Sequence, residues 1–144
     1  MSTKIFPTAQ DAENAFYEAF ERGDLDGMMA VWAEDEDVIC VHPGGPRLCG
    51  QDQVRESWAK IFAGETRARV KVDQQVAVTG MMIAVHSVHE HFVVEGDPRP
   101  TVPILATNVY LRTAAGWRMI VHHASPVPGQ PDAAPREDSP KFLH

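Results

Sequence analysis

VKVDQQVAVTGMMIAVHSVHEHFVV, residues Val70 to Val94, is the stretch on which the fold turns. Valines recur at 70, 72, 76 and 78, a period of two, and Thr79-Gly80 breaks the run before Met81 starts another. Alternation of this kind sets successive side chains on opposite faces of a pleated strand, and a short Gly-containing separator joins two such strands as a hairpin. Both faces of Met81 to Val94 carry apolar residues. One face is therefore expected to pack on helices and the other on a second subunit, which predicts a homodimer.

Downstream, the same period runs through Val102 to Leu111 and Trp117 to Ser125, separated by Glu95-Gly96-Asp97-Pro98 and Ala114-Ala115-Gly116. Four long strands with short separators predict an antiparallel meander. Upstream the period is helical. Thr8 with Asp11 three residues on is a capping pattern, followed by Ala9, Ala12, Phe16, Ala19 and Phe20 on one face, and Gly23 ends that helix. Asp24 caps a second short helix with Leu25, Met28, Met29 and Trp32 as its apolar positions. Val38-Ile39-Cys40-Val41-His42 reads as a short strand stopped by Pro43-Gly44-Gly45-Pro46. A third helix follows Gly50, with Asp52 as its cap and Val54, Trp58, Ile61 and Phe62 as its buried face, and Gly64 closes it.

The chain has 144 residues, 44% hydrophobic and 23% charged, enough for one core and one domain. A net charge of −7 with scattered Lys and Arg leaves no basic stripe for phosphates, so no nucleic-acid partner is expected. No apolar run approaches the roughly 20 residues that span a bilayer, and the N-terminus lacks a signal-peptide pattern. A cytoplasmic protein with no membrane partner is expected. Cys40 and Cys49 have no metal-ligand spacing and read as buried thiols. The domain is expected to span 1–125, with 126–144 a Pro-rich tail, and deletion of Gly129 to His144 is expected to leave the fold intact.

Helix hairpin, short strand, capped helix and meander, in that order, resemble the nuclear transport factor 2-like superfamily, and within it the SnoaL-like and ketosteroid isomerase-related group. The pieces that carry the resemblance are Gly23-Asp24-Leu25-Asp26-Gly27, Val41-His42-Pro43 leading to Gly50, Ser57-Trp58 with Ile61-Phe62, and Gly116-Trp117-Arg118 running to His122-His123-Ala124-Ser125-Pro126. The resemblance implies an α+β fold, a cone-shaped cystatin-like roll in which three N-terminal helices pack on a curved, mostly antiparallel sheet around a pocket. Ketosteroid isomerase uses an Asp base and an oxyanion hole of Tyr and a protonated Asp. Carried across, the base position holds His42 before Pro43, the Tyr position holds Phe16 with Tyr17 facing elsewhere, and the acidic donor position holds Asn108. Phe16 donates no hydrogen bond, so steroid isomerisation is not expected.

His42 is the leading candidate for chemistry, because an imidazole at a strand end titrates near neutrality and can act as acid or base on a carbonyl compound. Strict alternation along the last strand puts Trp117, Met119, Val121, His123 and Ser125 on one face, and the resemblance turns that face inward. His42, Asn108 and His123 are then the expected catalytic set, with Phe16, Trp32, Trp58, Phe62 and Tyr110 as walls that contact a ligand. His89 and His91 share a strand face near Glu95, a spacing that invites a metal reading, but three helices precede the sheet and Ile83 stands where a cupin motif has glycine. No metal and no cofactor are expected. The sequence predicts a domain binding a small-molecule ligand or substrate, with isomerase or lyase chemistry on a carbonyl-bearing compound. The alternatives are a non-catalytic ligand-binding or association module and, behind it, a metal-dependent protein using His89 and His91.

Overall fold

Nine elements follow one another in a computed structural model that describes residues 4–34, 37–64, 67–99 and 101–127. They are α1 (Ala9–Arg22), α2 (Leu25–Val31), β1 (Ile39–Val41), β2 (Arg47–Cys49), α3 (Gln51–Ala63), β3 (Ala68–Thr79), β4 (Ile83–Val94), β5 (Ile104–Thr113) and β6 (Gly116–Pro126). The expected tail deletion concerns 129–144, outside the described residues.

Local chemistry sets the helix ends. Thr8 Oγ1 accepts from the backbone N–H of Asp11 at 3.0 Å, which satisfies one of the donors a helix start leaves open. Gly23 ends α1 at φ 65°, a left-handed conformation that costs glycine little, and Asp24 caps α2 through the N–H of Gly27 at 3.0 Å. The expected cap of α3 is corrected: the helix starts from Gly50 without a side-chain cap, and Asp52 lies inside its first turn.

The sheet runs β2-β1-β6-β5-β4-β3, antiparallel except where β1 lies parallel to β6, pairing Cys40 with His122. The short β2, unforeseen in the sequence, pairs with β1 at the edge. The helices cover the concave face, where Phe16, Met28, Trp32, Trp58, Tyr110 and Met119 form one core. Burial of each such side chain contributes roughly 1.5–3 kcal/mol. A second cluster of Val88, Ile104, Ala106 and Ala124 fills the other end. Of the two expected buried thiols, Cys40 is buried and Cys49 is exposed.

Two bulges bend the sheet and change which face each side chain takes. In β3 the register slips between Asp73 and Val76, with Gln74 at φ 53° as the extra residue. Val70 and Val72 are half-buried, but Val76 and Val78 beyond the slip are exposed. In β6 Tyr110 pairs with Met119 and Val109 with Val121, so Ile120 has no opposite number. The alternation inward therefore runs Trp117, Met119, His122, Ala124, and the expected inward His123 is exposed. His122 takes its place.

Candidate functional site

A cavity of about 210 Å³ opens between the helices and the concave face. Its apolar walls are Phe16 and Phe20 of α1, Trp58 and Ile61 of α3, Pro43, and Phe92 of β4. Its polar lining is His42, Tyr17, Glu90 and His122. A larger groove near Arg22, Glu21 and Asp97 is open and lined by charges of both signs.

His42 follows β1 directly, and Pro43 turns the chain away. Its Nε2 lies 3.0 Å from Ser57 Oγ, and Ser57 gives its own proton to the Val54 carbonyl at 2.8 Å. Ser57 must therefore accept, which puts the imidazole proton on Nε2 and leaves Nδ1 with a free lone pair. The ring stands edge-on to Trp58 with centroids 4.8 Å apart. Burial holds the His42 pKa below its ordinary value, so the neutral form prevails at neutral pH.

A hydrogen-bonded chain crosses the floor. Glu13, buried on the apolar stripe of α1, accepts from the Tyr110 hydroxyl at 2.9 Å, the Asn108 amide at 3.1 Å and the Gln75 amide at 2.7 Å, with His86 Nδ1 at 3.2 Å. This turns the Asn108 NH₂ toward Glu13 and toward Tyr17 Oη at 3.0 Å. Tyr17, accepting from Asn108, donates to Glu90 Oε2 at 2.5 Å. The Asn108 carbonyl oxygen receives His122 Nδ1–H at 2.6 Å, which leaves His122 Nε2 as an acceptor.

Burial sets the electrostatics of this chain. It pushes Glu90 up to about 7, against the Tyr17 hydrogen bond, which lowers it, and with a smaller upward push from Glu13; it pushes His122 down to about 3, with His42 and His123 adding to the fall. The Tyr17 phenol, desolvated and beside Glu90, is held far above its ordinary range. Among the described residues no Lys or Arg lines the cavity. The arrangement can accept a proton at His42 Nδ1, and near neutrality Glu90 can give or take one.

Of the residues expected in the site, His42, Phe16 and Trp58 line the cavity. Asn108 is fully buried and reaches it through Tyr17 and His122. Tyr110 is buried on Glu13, Trp32 is buried in the core, and Phe62 packs on Trp58 with ring centroids 5.6 Å apart; none of the three is among the lining residues. His123 is corrected to the outer face. The expectation that Tyr17 faces elsewhere is also corrected, because Tyr17 and Phe16 both border the cavity. Glu90 was legible by parity, since it shares its face of β4 with the buried Ala84, His86 and Val88. Among the described residues no cluster of three His, Cys, Asp or Glu side chains suits a metal, and His91 bonds Asp73 at 2.9 Å on the outer face. Among the same residues no helix is long and apolar enough to cross a membrane.

The family follows from comparison with known proteins. A Thiobacillus denitrificans structure described as a candidate calcium/calmodulin-dependent protein kinase type II association domain is 42% identical, covering 86% of this chain and 98% of its own, with a TM-score of 0.79. A Streptomyces avermitilis structure described as a candidate dehydratase of the NTF2-like family is 35% identical, covering 81% and 91%, with a TM-score of 0.74. The F-box protein SKIP8 of Arabidopsis thaliana is 27% identical over 101 residues, 70% of this chain and 42% of that protein, so the chain spans well under half of this curated relative. More distant solved structures share the cystatin-like fold. Residues 10–129 match the model of the SnoaL-like domain, and the chain belongs to that family, within the NTF2-like superfamily.

Proposed function

We propose that this domain binds a small carbonyl-bearing organic compound and catalyses an isomerisation or elimination on it, with His42 as general base. The observation that carries this reading is an imidazole in an apolar cavity, kept neutral by burial, whose Nε2 lies 3.0 Å from Ser57 Oγ and 3.7 Å from Cys40 Sγ and whose Nδ1 has no hydrogen-bond partner among the described residues. A base works best when its conjugate acid titrates near the working pH and water is excluded from its surroundings. The volume of about 210 Å³ lies under the roughly 300–1,000 Å³ of sites for drug-sized ligands, which suits a compound of one ring or a short chain. The candidate dehydratase among the similar structures is consistent with elimination.

The test uses the aldol of benzaldehyde and acetone, an uncharged β-hydroxy ketone. Deuterium exchange beside its carbonyl reports proton removal, and the enone chromophore reports loss of water. His42→Ala is expected to lower both rates by roughly 10²–10⁴-fold with little change in stability. Equal rates in variant and wild type, or a wild type no faster than buffer, defeat the reading.

A second reading, association without catalysis, is favoured by a different observation. Val76, Val78 and Ile83 are exposed on the outer side of the sheet, next to Met81 and Met82 in the β3–β4 turn. Exposed apolar surface of this kind marks an interface, and one similar structure is described as an association domain. We infer a homodimer through this face, which is compatible with a working cavity on the other.

A further inference from the structure

The cavity has a second reactive group whose place in the chemistry the His42 reading leaves open. Glu90 is a carboxyl group 2% exposed, set among Phe16, Phe20, Phe92 and Ile61, and among the described residues no Lys or Arg pairs with it. One of its oxygens takes the Tyr17 hydroxyl. A buried carboxyl group without a cation is costly, and such a cost persists where the group has work to do. Glu90 lies on β4 and His42 beyond the end of β1, three strand spacings apart in the order β1-β6-β5-β4, or about 14 Å along a flat sheet. The bend of the sheet brings both to one cavity of about 210 Å³.

We propose that Glu90, held by Tyr17, is the pole of this cavity that takes the hydroxyl group of an uncharged hydroxy-carbonyl substrate and protonates it as it leaves. The inference rests on the His42 reading and names the substrate class for it. The remaining polar groups restrict the choice further. His42 Nδ1 and His122 Nε2 are acceptors, and among the described residues no cationic side chain lines the cavity to hold a carboxylate or phosphate. Trp58, a cavity wall, presents its ring to the guest, and its indole N–H is buried without a partner among the described residues. An uncharged compound with one hydroxyl and one carbonyl matches this inventory better than an acid does.

The step balances without a co-reactant. His42 Nδ1 takes the proton from the carbon beside the carbonyl, that electron pair becomes the carbon–carbon double bond, and the carbon–oxygen bond breaks. The departing oxygen takes the proton of Glu90 and leaves as water. Glu90 is then a carboxylate and His42 an imidazolium, and solvent exchange after product release restores both. The groups facing Glu90 are Tyr17 and Glu13 from α1, Asn108 from β5, His122 from β6 and His42. Glu13 is the one that adds negative charge, and it too raises Glu90 toward the neutral acid that the step requires.

Two measurements on the full chain test this. With the benzaldehyde–acetone aldol, Glu90→Gln is expected to slow water loss at least tenfold more than it slows deuterium exchange, whereas His42→Ala slows both alike. In ligand-observed NMR, benzyl alcohol is expected to bind roughly tenfold tighter than toluene, a preference that Glu90→Leu removes and Tyr17→Phe reduces. Benzoate is expected to bind more weakly than benzyl alcohol above neutral pH, with the gap narrowing in acid for wild type and not for Glu90→Gln. Circular dichroism shows whether each variant is folded, and Glu90→Gln, nearly isosteric, carries the test if Glu90→Leu is not. Tight benzoate binding, or equal slowing of exchange and water loss in Glu90→Gln, overturns the role of Glu90 and leaves that of His42 standing. A wild type that neither binds these probes nor turns over the aldol overturns both.

Discussion

The two faces of the sheet invert the usual rule of polar outside and apolar inside. The concave face buries Glu13 against His86, Asn108 and Tyr110 and holds Glu90 and His122 beside them, whereas the convex side leaves Val76, Val78 and Ile83 in contact with solvent. Buried polar groups are tolerated when each has a partner, and exposed apolar groups when something covers them. The contrast therefore separates two tasks. Under the proposed function the inside serves chemistry on a small guest and the outside meets another protein surface.

The inside is most directly broken at Glu13. Glu13→Ala leaves the Tyr110 hydroxyl without its acceptor and takes one acceptor each from Asn108 and Gln75, and a loss of about 3 kcal/mol is expected, read as a lower urea midpoint with unchanged slope. A loss under about 1 kcal/mol would mean that water replaces the carboxylate and that the chain is not the frame of the cavity. The outside is broken by Val78→Asp together with Ile83→Asp. Sedimentation is expected to show a dimer for wild type and a monomer for the double variant, with the fold intact in both. A wild type that is monomeric at micromolar concentration removes the interface.

Titration sharpens the comparison. Glu90, raised to about 7 in the fold, binds its proton more tightly folded than unfolded, so between about pH 4.5 and 7 its contribution to stability falls as pH rises. His122, lowered to about 3, acts in the opposite sense: its contribution is lost as pH falls below about 6.5. Each changes stability by at most about 1.4 kcal/mol per pH unit, and between about pH 4.5 and 6.5 the two oppose each other. Glu90→Gln removes one of them, so the variant is expected to lose stability steeply on acidification over a range where wild type is nearly flat. Parallel curves for the two proteins would show that Glu90 does not titrate inside the fold.

The smallest effect concerns Gln74, which sits at φ 53° in the β3 bulge. Gln74→Gly is expected to stabilise the domain by about 0.5–1 kcal/mol, measured as a rise in melting temperature, because glycine adopts that conformation without the steric cost of a Cβ. No change would indicate that the gain is offset by greater freedom in the unfolded chain.

The bulges also explain which parts of the molecule could be read from the sequence. Thr8, Gly23 and Asp24 announce their helix ends through local chemistry, and the valines and turns of 70–125 announce strands, so the helices and the meander were legible. So was His42, because Pro43 ends its strand whatever lies around it. A single extra residue leaves no mark on a period of two yet reverses every side chain beyond it. For that reason strict alternation puts His123 on the wrong face and gives no sign that Val76 leaves the side taken by Val70 and Val72, and β2, three residues long, was not seen at all. Glu13 and Tyr17 were missed for another reason. On a helix the stripe facing the core is judged by its apolar members, and a buried acid or phenol within it reveals itself only through partners that arrive from distant strands, here Asn108, Tyr110 and Glu90.

Ile120 gives this last point a wider meaning. The chain offers two adjacent histidines, 122 and 123, and what decides which of them the cavity receives is a matter of length, one unmatched residue upstream, rather than of chemistry. Evolution can thus exchange an interior group for its neighbour by inserting or deleting at a distance, without altering either histidine. When relatives are aligned, a gap near this position would carry more information about their specificity than any substitution in the histidine pair itself.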